Sequence, residues 1–184
     1  METCIACGAP TDKVELLPTY DADVIGIPVT LRNGVLHHSC DSCGFDGIEI
    51  LDSENLSAAV AVARILLPIV LSGAEIRFLR KACQMNGKQF ANELGCDNAT
   101  LSRWENGGGA GEVTERNIRD TVWSLLYKRV PAIQVEPGHF KRMETYRLND
   151  GESLPRLVLE RVRLKDSARQ TKSDEWDIYE RCAA

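Results

Sequence analysis

Residues 88–109 read KQFANELGCDNATLSRWENGGG, and the spacing within this stretch decides what the middle of the chain is. Phe90, Ala91 and Leu94 fall on one face of a helix over 88–94. Gly95 follows, the residue that most readily takes the left-handed conformation needed at a helix C-terminus. Two residues on, Asp97 can cap a second helix over 98–105, before Asn106-Gly107-Gly108-Gly109 stops it. A short helix, a tight glycine-containing turn and a second short helix make a helix-turn-helix.

Working outward, Ser72-Gly73-Ala74-Glu75 is a capping box that opens an earlier helix carrying Ile76, Leu79 and Cys83 on one face, widened by Phe78 and Ala82. Downstream, 114–130 reads as a helix with Ile118, Val122, Leu125 and Tyr127 facing inward. Upstream, 52–67 is rich in Ala and Leu and ends near Pro68. Its apolar character runs most of the way round, which suits either packing within the chain or a seam between two copies.

The N-terminal third is organised by cysteine. Of seven Cys, four form two Cys-x-x-Cys pairs: Cys4-Ile-Ala-Cys7-Gly8 and Cys40-Asp-Ser-Cys43-Gly44. Two residues between cysteines let a tight turn point both sulfurs at one centre, and two such turns complete a tetrahedron of thiolates around a structural zinc ion. The Gly after each pair can take positive φ and aim backbone amides at the sulfurs. A disulfide reading lacks an export signal, and a redox dithiol lacks a helix N-terminus in an αβ setting. His37 and His38 lie close enough to Cys40 to be alternative ligands, though four thiolates already satisfy the metal. Cys83 and Cys96 read as small buried apolar residues; Cys182 carries no reading. Between the pairs the runs 14–17, 24–29 and 35–38 are strand-like, Asn33-Gly34 signals a hairpin turn, and 47–50 reads as a closing strand. This module of about 50 residues has too few apolar residues for a core of its own, so it is expected to need its metal.

Phe90-Ala91, Leu94-Gly95 and Leu101-Ser102-Arg103-Trp104-Glu105-Asn106-Gly107 resemble the Cro/C1-type (Xre-type) helix-turn-helix of phage repressors, over residues 72–130. With the N-terminal thiolate pairs, the whole chain resembles the MqsA/YgiT family, a zinc module fused to an Xre-type domain. That resemblance implies a sequence-specific DNA-binding transcriptional regulator, a repressor, and for some members the antitoxin of a type II toxin–antitoxin pair that binds a toxin protein and represses its own operon. It also implies that Arg80, in the first helix of the domain, bridges to Glu105 at the end of the recognition helix; two exposed charges that never meet is the bland alternative.

In a helix-turn-helix the first residues of the second helix meet base edges in the major groove. Here those are Asn98, Ala99 and Thr100, then Ser102 and Arg103 one turn on. Asn pairs bidentately with adenine, Arg with guanine, and the Thr methyl packs on a thymine methyl. Ala99 replaces the longer polar reader of many relatives, and Gly87 stands where they commonly carry Gln, which leaves only a backbone amide donor. Lys88 is placed to meet a phosphate. Trp104 reads as packing, and Arg77 and Lys81 as a solvated face.

The expected architecture is therefore mainly α with a small β zinc-ribbon module: a zinc-ribbon-like unit over 1–51, a helical connector over 52–71, the DNA-binding domain over 72–130, and an α/β C-terminal extension of unknown role over 131–184. In that extension Pro131 and Pro137-Gly138 mark a loop, Asn149-Asp150-Gly151 a turn, 157–164 has strand-like content, and 176–179 is a candidate to pair with it. MqsA-type antitoxins typically end before such an extension. Charge follows the same division, with 3 Lys/Arg against 10 Asp/Glu over 1–71, 9 against 7 over 72–130, and 10 of each over 131–184, for a net charge of −5. An acidic head and a mildly basic middle suggest two surfaces with different partners. His139 stands without a nucleophile, and no catalytic grouping is seen, so a non-enzyme is expected. No signal peptide is read, and the apolar stretch 58–71 is interrupted by Arg64 and Pro68, so a cytoplasmic protein with no membrane partner is expected. A homodimer on a pseudo-palindromic double-stranded DNA operator is the expected assembly. The rival reading is a protein-interaction adaptor whose acidic zinc module grips a partner without DNA binding.

Overall fold

A computed structural model describes residues 2–11, 13–166 and 171–179. Strands β1 (Glu2–Thr3) and β2 (Pro10–Thr11) form a minimal ribbon at the first cysteine pair. Strand β3 (Val14–Val24) then pairs antiparallel with β4 (Ile27–Ser39), and β5 (Asp46–Ile50) pairs with the second half of β4. Six helices follow: α1 (Ser53–Leu66), α2 (Gly73–Ala82), α3 (Gly87–Leu94), α4 (Asn98–Arg103), α5 (Glu112–Leu126) and the single-turn α6 (His139–Arg142). Strands β6 (Leu157–Asp166) and β7 (Thr171–Ile178) close the described chain.

The last two strands overturn the expectation of a mainly α protein with a small separate β module. β6 lies parallel to β4, with Val29 opposite Leu157 and Leu31 opposite Leu159, and β7 runs antiparallel to β6. The result is one mixed five-stranded sheet and an α/β fold. The reason lies in burial. Val29, Leu31, Leu157 and Leu159 share one face and are 0–4% exposed, an apolar surface that the N-terminal strands cannot cover alone.

What covers that face is α1. It touches β6 and β7 on one side and α2 and α5 on the other. Its residues Ala58 to Ile65 are therefore all buried, and the all-round apolar pattern is satisfied within one chain. Asp52 joins sheet to helix. It stands in the left-handed region at φ 51°, its side chain accepts from the Asn55 amide and from Arg161, and its carbonyl accepts from the Trp176 indole at 3.2 Å.

Asn33-Gly34 is not the hairpin turn. The turn is Ile25-Gly26, at φ 55° and 82°, and Asn33-Gly34 sits inside β4 opposite Pro18. Pro18 has no amide to donate, so the ladder is interrupted there, and two β4 residues bulge against one on β3. The glycine is needed for another reason: a Cβ on Gly34 would stand 2.1 Å from the Trp176 ring.

Between α1 and α2 the chain runs extended through 67–71, and two buried arginines take its carbonyls. Arg119 donates to Ile65, Leu67 and Ile69 at 2.5–2.7 Å and to Glu115 at 2.7 Å. Arg64 donates to Ile69 and Val70, and pairs with Glu75. Leu71's amide is held by Glu115. These buried charges are paired and hydrogen-bonded, the condition under which a protein interior tolerates them. α5 ends at Leu126, which is buried, while Tyr127 is 46% exposed and not inward-facing. The tighter 3-10 turn over Tyr127–Arg129 rotates it outward onto Trp123.

Candidate metal centre and nucleic-acid interface

The two cysteine turns are built alike. In the first, the Cys4 amide donates to Ala9 at 2.8 Å and the Gly8 amide to Cys4 at 2.9 Å; in the second, Cys40 donates to Phe45 at 2.9 Å and Gly44 to Cys40 at 2.8 Å. Gly8 and Gly44 close them at φ 72° and 71°. Each turn buries its first cysteine and exposes its second. The four sulfurs lie within 4.8 Å of one another, with Cys4–Cys43 and Cys7–Cys40 at 3.8 Å. A tetrahedral site with metal–sulfur bonds of about 2.3 Å has edges of about 3.8 Å, so the cluster has the dimensions of a closed four-thiolate site. The amide of Cys43 helps draw the Cys40 thiol down to about 7. Cys43 is pushed up to about 12: the Phe45 amide favours its thiolate, but the surrounding thiols and desolvation prevail. Four thiolates this close cannot all ionise without a cation among them. Four cysteines can thus hold a metal ion here. His37 and His38 face elsewhere, paired with Asp46 at 3.2 Å and Glu49 at 2.9 Å. Cys83 and Cys96 are half-buried against the core, and burial pushes the Cys83 thiol up to about 12. Cys182 lies outside the described residues.

In the helical half, α3 is opened by Asn86, whose side chain and that of Gln89 form a reciprocal cap. Gly95 ends it at φ 69°, and Asn117 of α5 donates to the Leu94 carbonyl. Asp97 caps α4, accepting from the Thr100 amide and hydroxyl at 2.8 Å each, and these bonds hold its carboxyl below the usual range. Leu101 is buried under α4, whereas Asn98, Ala99, Ser102 and Arg103 are exposed and Thr100 half-buried. Lys88 is exposed on the first turn of α3. Arg103 Nη2 donates to the Thr100 hydroxyl at 2.9 Å, which steadies its guanidinium.

The end of α4 runs on through Trp104–Gly108, with Gly107 at φ 100°. Arg80 reaches it from α2, donating Nε to Glu105 Oε1 at 2.6 Å and Nη2 to Oε2 at 3.1 Å. Glu105 in turn raises the Arg80 guanidinium above its ordinary value. Trp104 packs half-buried against the core.

Four residues here have contacts that their sequence reading did not anticipate. Arg77 is not merely solvated: it pairs with Glu105 at 3.4 Å and donates to Asn106 at 2.8 Å. Asn106 donates back to the Ser102 carbonyl and hydroxyl. Gly73 leaves room for the carbonyls of Trp104 and Glu105, which a Cβ there would meet at 2.6 Å. Gly87 likewise abuts the Asn98 side chain, whose Oδ1 would stand 2.6 Å from a Cβ. The Ser72 capping box places Gly73 at a helix start, but the contacts of all four residues depend on segments distant in sequence or on side-chain placement.

Comparison with family models, curated proteins and solved structures finds no match to this chain. No helix among the described residues is long and apolar enough to cross a membrane.

Proposed function

We propose that the protein is a sequence-specific DNA-binding transcriptional regulator, a repressor of Xre type, working in the cytoplasm. The carrying observation is the α3–turn–α4 unit, which exposes Asn98, Ala99, Ser102 and Arg103 on one short segment whose far end is clamped by Arg80. A recognition segment must be exposed to reach base edges and rigid to discriminate among them. Asn98 reads adenine, Arg103 reads guanine, the Thr100 methyl meets thymine, and Lys88 meets a phosphate. Cys4, Cys7, Cys40 and Cys43 hold a zinc ion whose chemistry is structural, because all four positions are filled by the protein. Two copies bind a pseudo-palindromic operator as a homodimer, and a toxin protein is the natural partner if the resemblance to MqsA/YgiT antitoxins extends to function.

Selection of duplexes from a random pool, followed by gel shifts across salt, tests this. Arg103→Ala should cost about 1–3 kcal/mol on the selected sequence and relax one base position. Lys88→Ala should weaken all sequences alike and reduce the salt slope by about one. No enrichment, or equal losses for both variants on every duplex, would count against base readout.

The adaptor reading draws on a different surface. Ile5, Leu16 and Ile48 are 38–59% exposed in the acidic N-terminal region, and β3 lies at an end of the sheet. Failure to enrich any duplex, with a partner protein bound through β3, would favour it.

A further inference from the structure

We propose that the open cavity between the β3–β4 turn, the first turn of α2 and the loop 147–154 binds a small molecule with an apolar body and a single carboxylate, and that its occupancy is felt at the end of the recognition segment. The cavity measures about 510 Å³, a volume typical of small-molecule sites. Ile25, Val70, Leu71, Ala74, Leu148 and Leu154 make its walls apolar. Arg64 and Glu75 also border it, but they are spent on each other, on the Ile69 and Val70 carbonyls and on the Ser72 amide.

Arg147 differs. It borders the same cavity, is exposed, and has no hydrogen bond or ion pair among the described residues. It is the natural counter-ion for a carboxylate. Glu152 borders the cavity as well, held by the Asn149 amide at 2.8 Å, with its carboxyl kept below the usual range. Its negative charge disfavours a second anionic group on the ligand. Ile25 adds an observation of its own. A β-branched residue at φ 55° is strained, and its side chain is 59% exposed over the cavity, where an apolar ligand would cover it.

The link to the recognition segment is short. Ser72 and Ala74 line the cavity, and Gly73 between them is the close-packed seat of the Trp104 and Glu105 carbonyls. A ligand pressing on this turn acts on residues 104–106 directly.

The test uses the full chain without DNA, so its outcome is independent of the regulator reading. Octanoate, titrated calorimetrically, should bind saturably, while octylamine and the dicarboxylate suberate should bind at least about fivefold more weakly. Arg147→Gln, at an exposed position, should lower octanoate affinity about fivefold with the melting temperature unchanged. Ala74→Phe should block binding by filling the space. Amide exchange at Glu105 and Asn106 should slow about twofold or more with octanoate present. Absence of saturable binding, octylamine binding as tightly as octanoate, or an unaltered Arg147→Gln variant would overturn the site. Binding with unchanged exchange at 105–106 would overturn the coupling.

Discussion

Replacing Glu105 with Gln keeps the shape of the side chain and removes the charge that two arginines share. The Glu105 side chain is 9% exposed, Arg80 15% and Arg77 45%. Arg80 makes both of its short bonds to this carboxylate and a third, at 3.1 Å, to the Met85 carbonyl. Removing one member of a fully buried pair costs about 3–5 kcal/mol. Because Arg80 and Arg77 keep contact with water, the loss for Glu105→Gln is expected at about 2–3 kcal/mol. Arg80→Leu loses the same pair and also leaves the Met85 carbonyl without its partner, for about 3 kcal/mol. If the two residues act as one clamp, the double variant should lose less than the sum of the singles by about 2 kcal/mol. Urea unfolding followed by circular dichroism reads all four corners of this cycle, with constant m-values showing that the unfolded state is unaffected. A coupling below about 0.5 kcal/mol would mean two solvated charges and would refute the clamp.

Other outcomes follow from the same structure. The native chain should carry about one zinc, and Cys4→Ser, at a buried ligand, should lower the metal content and the melting temperature together; unchanged metal by elemental analysis would exclude the four-thiolate site. For Glu75, burial alone would raise the carboxyl, but the hydrogen bond and charge of Arg64 outweigh it and hold it below its ordinary 4.5. Its stabilisation is therefore complete above that unfolded value and disappears as pH falls through the lower folded one. Glu75→Gln should flatten this part of the acid unfolding curve, and an unaltered slope would sink the assignment. Gly34→Ala should cost about 1–3 kcal/mol through overpacking against Trp176, and a melting curve like that of the parent would show that the ring moves aside freely.

Local signals carried much of this molecule. The capping box at Ser72, the left-handed Gly95 and the Asp97 cap are short-range matters, each settled within a few residues of the groups involved. Paired cysteines with trailing glycines are equally local, although bringing Cys4 near Cys43 requires the β3–β4 hairpin to span the distance between them. The Asn33-Gly34 dipeptide misled because a turn and a bulge use the same backbone freedom. Only the absent donor of Pro18, on the other strand, separates the two.

Residues 88–105, with their helical spacing and caps, determined by themselves that two short helices meet at Gly95, since every interaction involved lies within a turn or two. The tertiary structure alone decided that β6 joins β4 and that Trp176 packs over Gly34. It likewise decided that Arg64 and Arg119 serve the carbonyls of 65–70 and that Arg77 shares Glu105 with Arg80. Apart from Arg64, which reaches only five or six residues ahead, those pairings link residues dozens of positions apart. An apolar strand or a charged side chain specifies what kind of partner it requires, but which partner it meets depends on how the whole chain closes over its core.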